Sequence, residues 1–149
     1  MSTGYLSTQL KGIVDRRLAS IGETVGRQVG AAQIVNIRQR VAKGVGMHDQ
    51  KMPVYSDAYK RSKQASGRNV DVRDLTYTGR MLGAMVSEIA ESNPKQTRVV
   101  IKFTDKPSQS KARYNQRRSA WFGISPRDRI ALRAIQRRAL KTALSRSKR

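Results

Sequence analysis

From Leu6 to Ala42 the chain contains no proline, and Leu10, Val14, Leu18, Ile21, Val25, Val29 and Ala32 recur at the spacing of one helical face. This predicts a long first helix over residues 6–42. The apolar phase then shifts to Ile34, Ile37 and Val41. Either the buried stripe moves around the helix toward a second partner, or the helix breaks near Gly30. Gly22, Gly26 and Gly30 stand four apart, and each glycine costs about 1 kcal/mol against alanine inside a helix. Such a recurring cost fits close backbone approach by another element. It equally fits a fraying or broken helix.

Residues 44–76 hold Gly44, Gly46, Pro53 and Gly67 among polar and basic residues and read as an extended loop, with one possible helical turn around Asp57 to Lys63. Loops longer than about 15 residues are uncommon in compact domains and are usually functional, disordered or ordered by a partner. Two runs within 84–103 flank Ser92-Asn93-Pro94-Lys95, a turn signal, and predict a β-hairpin. Its second strand alternates Thr97, Val99, Ile101 and Phe103 on one face with Arg98, Val100 and Lys102 on the other.

A last helix is predicted over 126–145. Ser125 can cap it, Pro126 suits its first position and Asp128 can close a capping box. Arg129, Arg133, Arg137 and Lys141 recur every four residues on one face, while Leu132, Ile135, Ala139 and Ala143 follow the helical period on another. The helix is therefore amphipathic and basic. The expected architecture is α+β, one domain over 1–149: a long N-terminal helix, a long loop, an antiparallel hairpin or small sheet, and the C-terminal helix.

Charge adds direction. The chain carries 31 Lys/Arg against 10 Asp/Glu, a formal +21, which implies a polyanionic neighbour or an acidic protein surface. Residues 106–149 hold 14 Lys/Arg and Asp128 alone, so the last third is the electrostatic end. Absence of cysteine removes disulfides, thiolate zinc sites and cysteine nucleophiles. No apolar run approaches a membrane span, and no secretory pattern opens the chain. Only the tail Ser145-Arg146-Ser147-Lys148-Arg149 is of low complexity.

Catalytic chemistry finds little support. His48 is the single histidine and sits in a Gly-rich loop, so triads and histidine zinc sites are not expected. Asp71 and Asp74 could share a divalent cation with Asp57 or Asp105, but as caps, turn formers or arginine partners they need no metal. No Walker or dinucleotide motif is present. The expectation is a non-enzyme without metal or cofactor. Trp121 and Phe122 read as anchors at the helix entrance, with base stacking as the alternative. The Arg129, Arg133, Arg137 and Lys141 face reads as an interface for a protein partner or DNA.

The element Asp74-Leu75-Thr76-Tyr77-Thr78-Gly79-Arg80-Met81-Leu82 lies between Met52-Pro53-Val54-Tyr55-Ser56-Asp57 and the hairpin, and Arg118-Ser119-Ala120-Trp121-Phe122-Gly123-Ile124-Ser125 precedes the last helix. This order resembles the head–tail connection and tail-completion proteins of tailed bacteriophages. Many of those proteins carry an aromatic-Ala and Glu/His-x-x-Gly signature where this chain has Lys111-Ala112-Arg113-Tyr114-Asn115-Gln116. The resemblance implies a structural virion protein of the neck, assembled in the host cytoplasm as a homo-oligomeric ring of about six or else about twelve subunits. Its implied neighbours are head-completion and tail-tube or terminator proteins, with possible double-stranded DNA contact in the channel and no membrane. The rival reading is a nucleic-acid-binding protein that uses the basic C-terminal helix.

Overall fold

A computed structural model describes residues 3–146, with side chains described from Lys11 onward. Leu10 of the predicted stripe and Ser147, Lys148 and Arg149 of the tail therefore lie outside the described side chains. Helix α1, Thr3–Ala42, is 40 residues long and uninterrupted, about 60 Å at the usual rise. It does not break at Gly30; the buried stripe moves around it because two elements pack on it.

The first of these is a two-stranded antiparallel sheet, β1 (Met85–Ser92) and β2 (Thr97–Phe103). Its register runs from Met85 opposite Phe103 to Ser92 opposite Thr97, with an irregularity between Ile89 and Glu91. The glycine stripe of α1 is its seat. A Cβ at Gly22 would run into Thr97 Oγ1, one at Gly26 would lie 2.9 Å from Ile89 Cδ1, and one at Gly30 would lie 2.7 Å from Ser87 Cβ. Close approach is thus what the three glycines permit, and fraying is not their meaning. At the tip, Ser92 Oγ donates to the Ala19 carbonyl at 3.0 Å, while the Asn93 side chain accepts from the backbone of Lys95 and Gln96. On β2, Thr97, Val99, Ile101 and Phe103 are partly buried and Arg98, Val100 and Lys102 are exposed, as the alternation predicts.

Segment 44–76 is not extended throughout. Asp57–Ala65 forms a nine-residue helix, α2, with an acidic residue in its first turn as the helix dipole favours. On either side Met52 and Leu75 enter the core. Leu75 takes φ 53, a left-handed conformation uncommon for leucine; burial of its side chain holds it, as do the bonds from Thr76 N to Asp74 Oδ1 and from Thr76 Oγ1 to the Asp74 carbonyl, each 3.0 Å. The short helix α3 (Arg80–Gly83) then supplies Met81 and Leu82 to the core.

After the hairpin, Asp105 caps α4 (Lys106–Arg118) by accepting from Ser108 N, and α5 (Pro126–Arg146) ends the described chain. The core gathers Ile34, Ile37 and Val41 of α1 with Met52, Leu75, Met81, Leu82, Met85, Ala112 and Trp121. Helix α5 packs along α1. On the same face of the hairpin, Val99 meets the α1 glycine stripe, while Phe103 meets Trp121 and Phe122 ahead of α5.

Candidate functional site

Ser125 and Asp128 form the predicted reciprocal cap: Asp128 N donates to Ser125 Oγ at 3.1 Å and Ser125 N donates to Asp128 Oδ2 at 3.0 Å. The cap is locked from α1. Buried Arg40 pairs with Asp128 and donates from Nη2 to the Trp121 carbonyl at 2.8 Å and the Gly123 carbonyl at 3.2 Å. Gln33 Nε2 reaches Asp128 Oδ2 at 3.1 Å and the Gly123 carbonyl at 3.0 Å. Gly123 itself has φ 147, and a Cβ there would lie 3.1 Å from Met47 Sδ.

Trp121 is fully buried. Its ring lies 5.5 Å from Phe122 and 6.5 Å from Phe103, and Phe122 lies 5.5 Å from Phe103. The indole Nε1 donates to the Ala112 carbonyl at 3.4 Å, and Gln116 Oε1 accepts from both Trp121 N and Phe122 N. The aromatic pair therefore anchors the approach to α5 from α4 and the end of β2. No Trp121 surface remains for a base to stack on.

From that socket α5 projects its cations. Arg129, Arg133, Arg137 and Lys141 are all exposed, whereas Leu132 and Ala139 are buried and Ile135 and Ala143 partly so. Among the described residues none of the four cations has an acidic partner. Between α1, the hairpin and α5 lies an open groove of about 400 Å³, its apolar side formed by Leu18, Val29, Val99 and Leu140 and its polar side by Asn93, Lys95, Gln96 and Gln136. The same two helices expose Ile13, Val14 and Leu144. Exposed apolar side chains and unpaired cations thus occur on the same pair of helices.

The acidic residues do not converge. Asp74 accepts from Lys63 Nζ at 2.6 Å and from the Tyr55 hydroxyl at 3.1 Å. Asp105 is spent on its cap, and the bond from Ser108 N holds its carboxyl below the ordinary range. Asp57 is 3.9 Å from Lys60, and Asp71 and His48 are exposed. Among the described residues no group of three or more His, Cys, Asp or Glu is placed to hold a metal, and no helix is long and apolar enough to cross a membrane.

Sequence reasoning missed Gln33, Arg40, Lys63 and Arg73, all buried. For Gln33 and Arg40 a signal existed: with Ile37 they share one helical face, so two polar residues interrupt an otherwise buried phase. Lys63 and Arg73 carried none. No family model, curated protein or solved structure matches the chain.

Proposed function

We propose that this protein is a structural subunit of a tailed-phage neck, a ring-forming component that completes the tail or joins it to the head. The observation that carries the reading is that the packed pair α1 and α5 exposes Ile13, Val14, Leu18 and Leu144 and also four cations without an acidic partner. Large apolar side chains left exposed on two packed helices are what an interface with another protein would cover. Repetition of one such contact around a closed ring leaves a passage and buries those side chains in every copy. The order of motifs along the chain supports the same assignment.

Within that assembly the Arg129, Arg133, Arg137 and Lys141 face meets acidic surfaces of neighbouring ring proteins. Duplex DNA carries about one charge per 1.7 Å of axis, so cations from every subunit aimed into the passage would hold it and slow its movement. Between proteins the same charges orient and speed assembly even where each exposed pair adds little stability. Arg133 and Arg137 changed together to glutamate test this. The expected outcome is failure of heads to join tails with normal DNA packaging and ejection; normal joining with DNA leakage or faster ejection would contradict it.

The alternative, a nucleic-acid-binding protein, draws on the same unpaired cations. It predicts duplex binding by the isolated protein that weakens steeply with salt and is lost in that double variant.

A further inference from the structure

A second cationic site lies away from α5, in a cleft of about 330 Å³ between α2, the residues before α3, and α4. Arg73 lines it and is only 8% exposed. Its Nε has no hydrogen-bond partner, Nη2 has only Asn115 Oδ1 at 3.4 Å, and the guanidinium otherwise meets the Tyr55 ring at 5.8 Å. Exposed Lys111 and Arg118 of α4 line the same cleft, and no carboxylate does. The neighbouring acid, Asp74, is already held by Lys63 and Tyr55. A guanidinium removed from water without a counter-ion is costly, and the natural remedy is an oxyanion that accepts its fork of donors.

We propose that this cleft receives a carboxylate side chain from an acidic segment of a different protein. The ring geometry favours a carboxylate over a nucleotide. A run of bases needs successive open aromatic faces, but Tyr55 has Tyr59 at 4.7 Å and Lys63 at 4.8 Å, Tyr59 also has Tyr77 at 6.0 Å, and the one half-exposed ring, Tyr114, has Arg118 over a face at 4.6 Å. Val54, 69% exposed on the rim, adds an apolar contact. The occupant is therefore a glutamate or aspartate next to an apolar residue. This inference does not depend on the neck assignment.

The test is a titration of the full chain with a fluorescein-labelled peptide in which leucine is flanked by glutamates, followed by polarisation at physiological salt. Arg73→Gln should weaken binding about tenfold, the scale of one charge-assisted hydrogen-bond pair, whereas Arg133→Gln, an equal loss of charge on α5, should change it less than about twofold. Should Arg73→Gln fail to fold, the exposed pair Lys111→Gln and Arg118→Gln provides the readout, with at least a fivefold loss expected. Equal losses in the cleft and α5 variants, or unchanged binding in the paired variant, would overturn the proposal. So would Arg73-dependent displacement of the peptide by a thymidine oligonucleotide, which would make the occupant a nucleic acid. Self-association abolished by Arg73→Gln would overturn it in favour of a second copy of this chain.

Discussion

Asp128 holds together parts of the chain that are far apart in sequence, since it closes its own helix cap while pairing with Arg40, 88 residues away. Removing one member of a buried pair leaves the other charge uncompensated, at about 3–5 kcal/mol. Asp128→Ala should therefore lose about that much stability in denaturant unfolding; a loss under about 1 kcal/mol would mean that the pair is incidental. Tyr55 makes a second prediction. Burial, chiefly, and then the Asp74 carboxylate push its phenol pKa up. The folded state thus prefers the protonated phenol, a preference whose stabilising effect is complete below the unfolded value near 10 and lost as pH rises through the folded one. Alkaline titration by ultraviolet absorbance should show Tyr55 ionising after Tyr77, whose phenol the Ser66 hydroxyl holds below its ordinary value, and Tyr55→Phe should flatten the alkaline fall in stability. The charges in these networks are visible in the sequence, but their pairing is not, because Lys63, Asp74, Arg40 and Asp128 resemble ordinary surface residues until the fold joins them.

At the scale of elements, what was legible was local. The cap of α5 sits within a few residues, the hairpin announces its own turn, and the glycine spacing of α1 encodes a contact whose partner only the fold identifies. Segment 44–76 was less legible because few apolar residues bind it. A buried lysine-carboxylate pair and two core side chains, Met52 and Leu75, do so instead. Glycine spacing also yields the sharpest test of the α1–hairpin seam. Gly30→Ala gains about 1 kcal/mol of helix propensity, yet its methyl would meet Ser87 Cβ at 2.7 Å and Val99 Cγ1 at 2.9 Å, an overpacking that costs about 1–3 kcal/mol. A net fall in melting temperature is expected. Gly12→Ala, with nothing within 4 Å of its Cβ, should raise it instead. Equal stabilisation by both substitutions would contradict the packing.

Across the whole molecule, the core sits at one end of a helix far longer than the core requires, and α5 runs beside that helix past the core. Apolar residues that a compact fold would bury stay exposed on α1 and α5 instead, and in the proposed assembly they would meet other chains together with the row of cations. Neither feature alone separates a ring subunit from a nucleic-acid binder; the exposed apolar residues are what the second reading leaves unused. Electron cryomicroscopy of the phage particle that the proposed neck assignment implies separates the two readings. A neck subunit of the proposed kind should form a closed ring of about six copies, with Val14, Leu18 and Leu144 of each copy buried against another chain and Arg133 and Arg137 facing acidic protein. A neck without this protein, or a single isolated copy with those apolar residues in solvent, would contradict it.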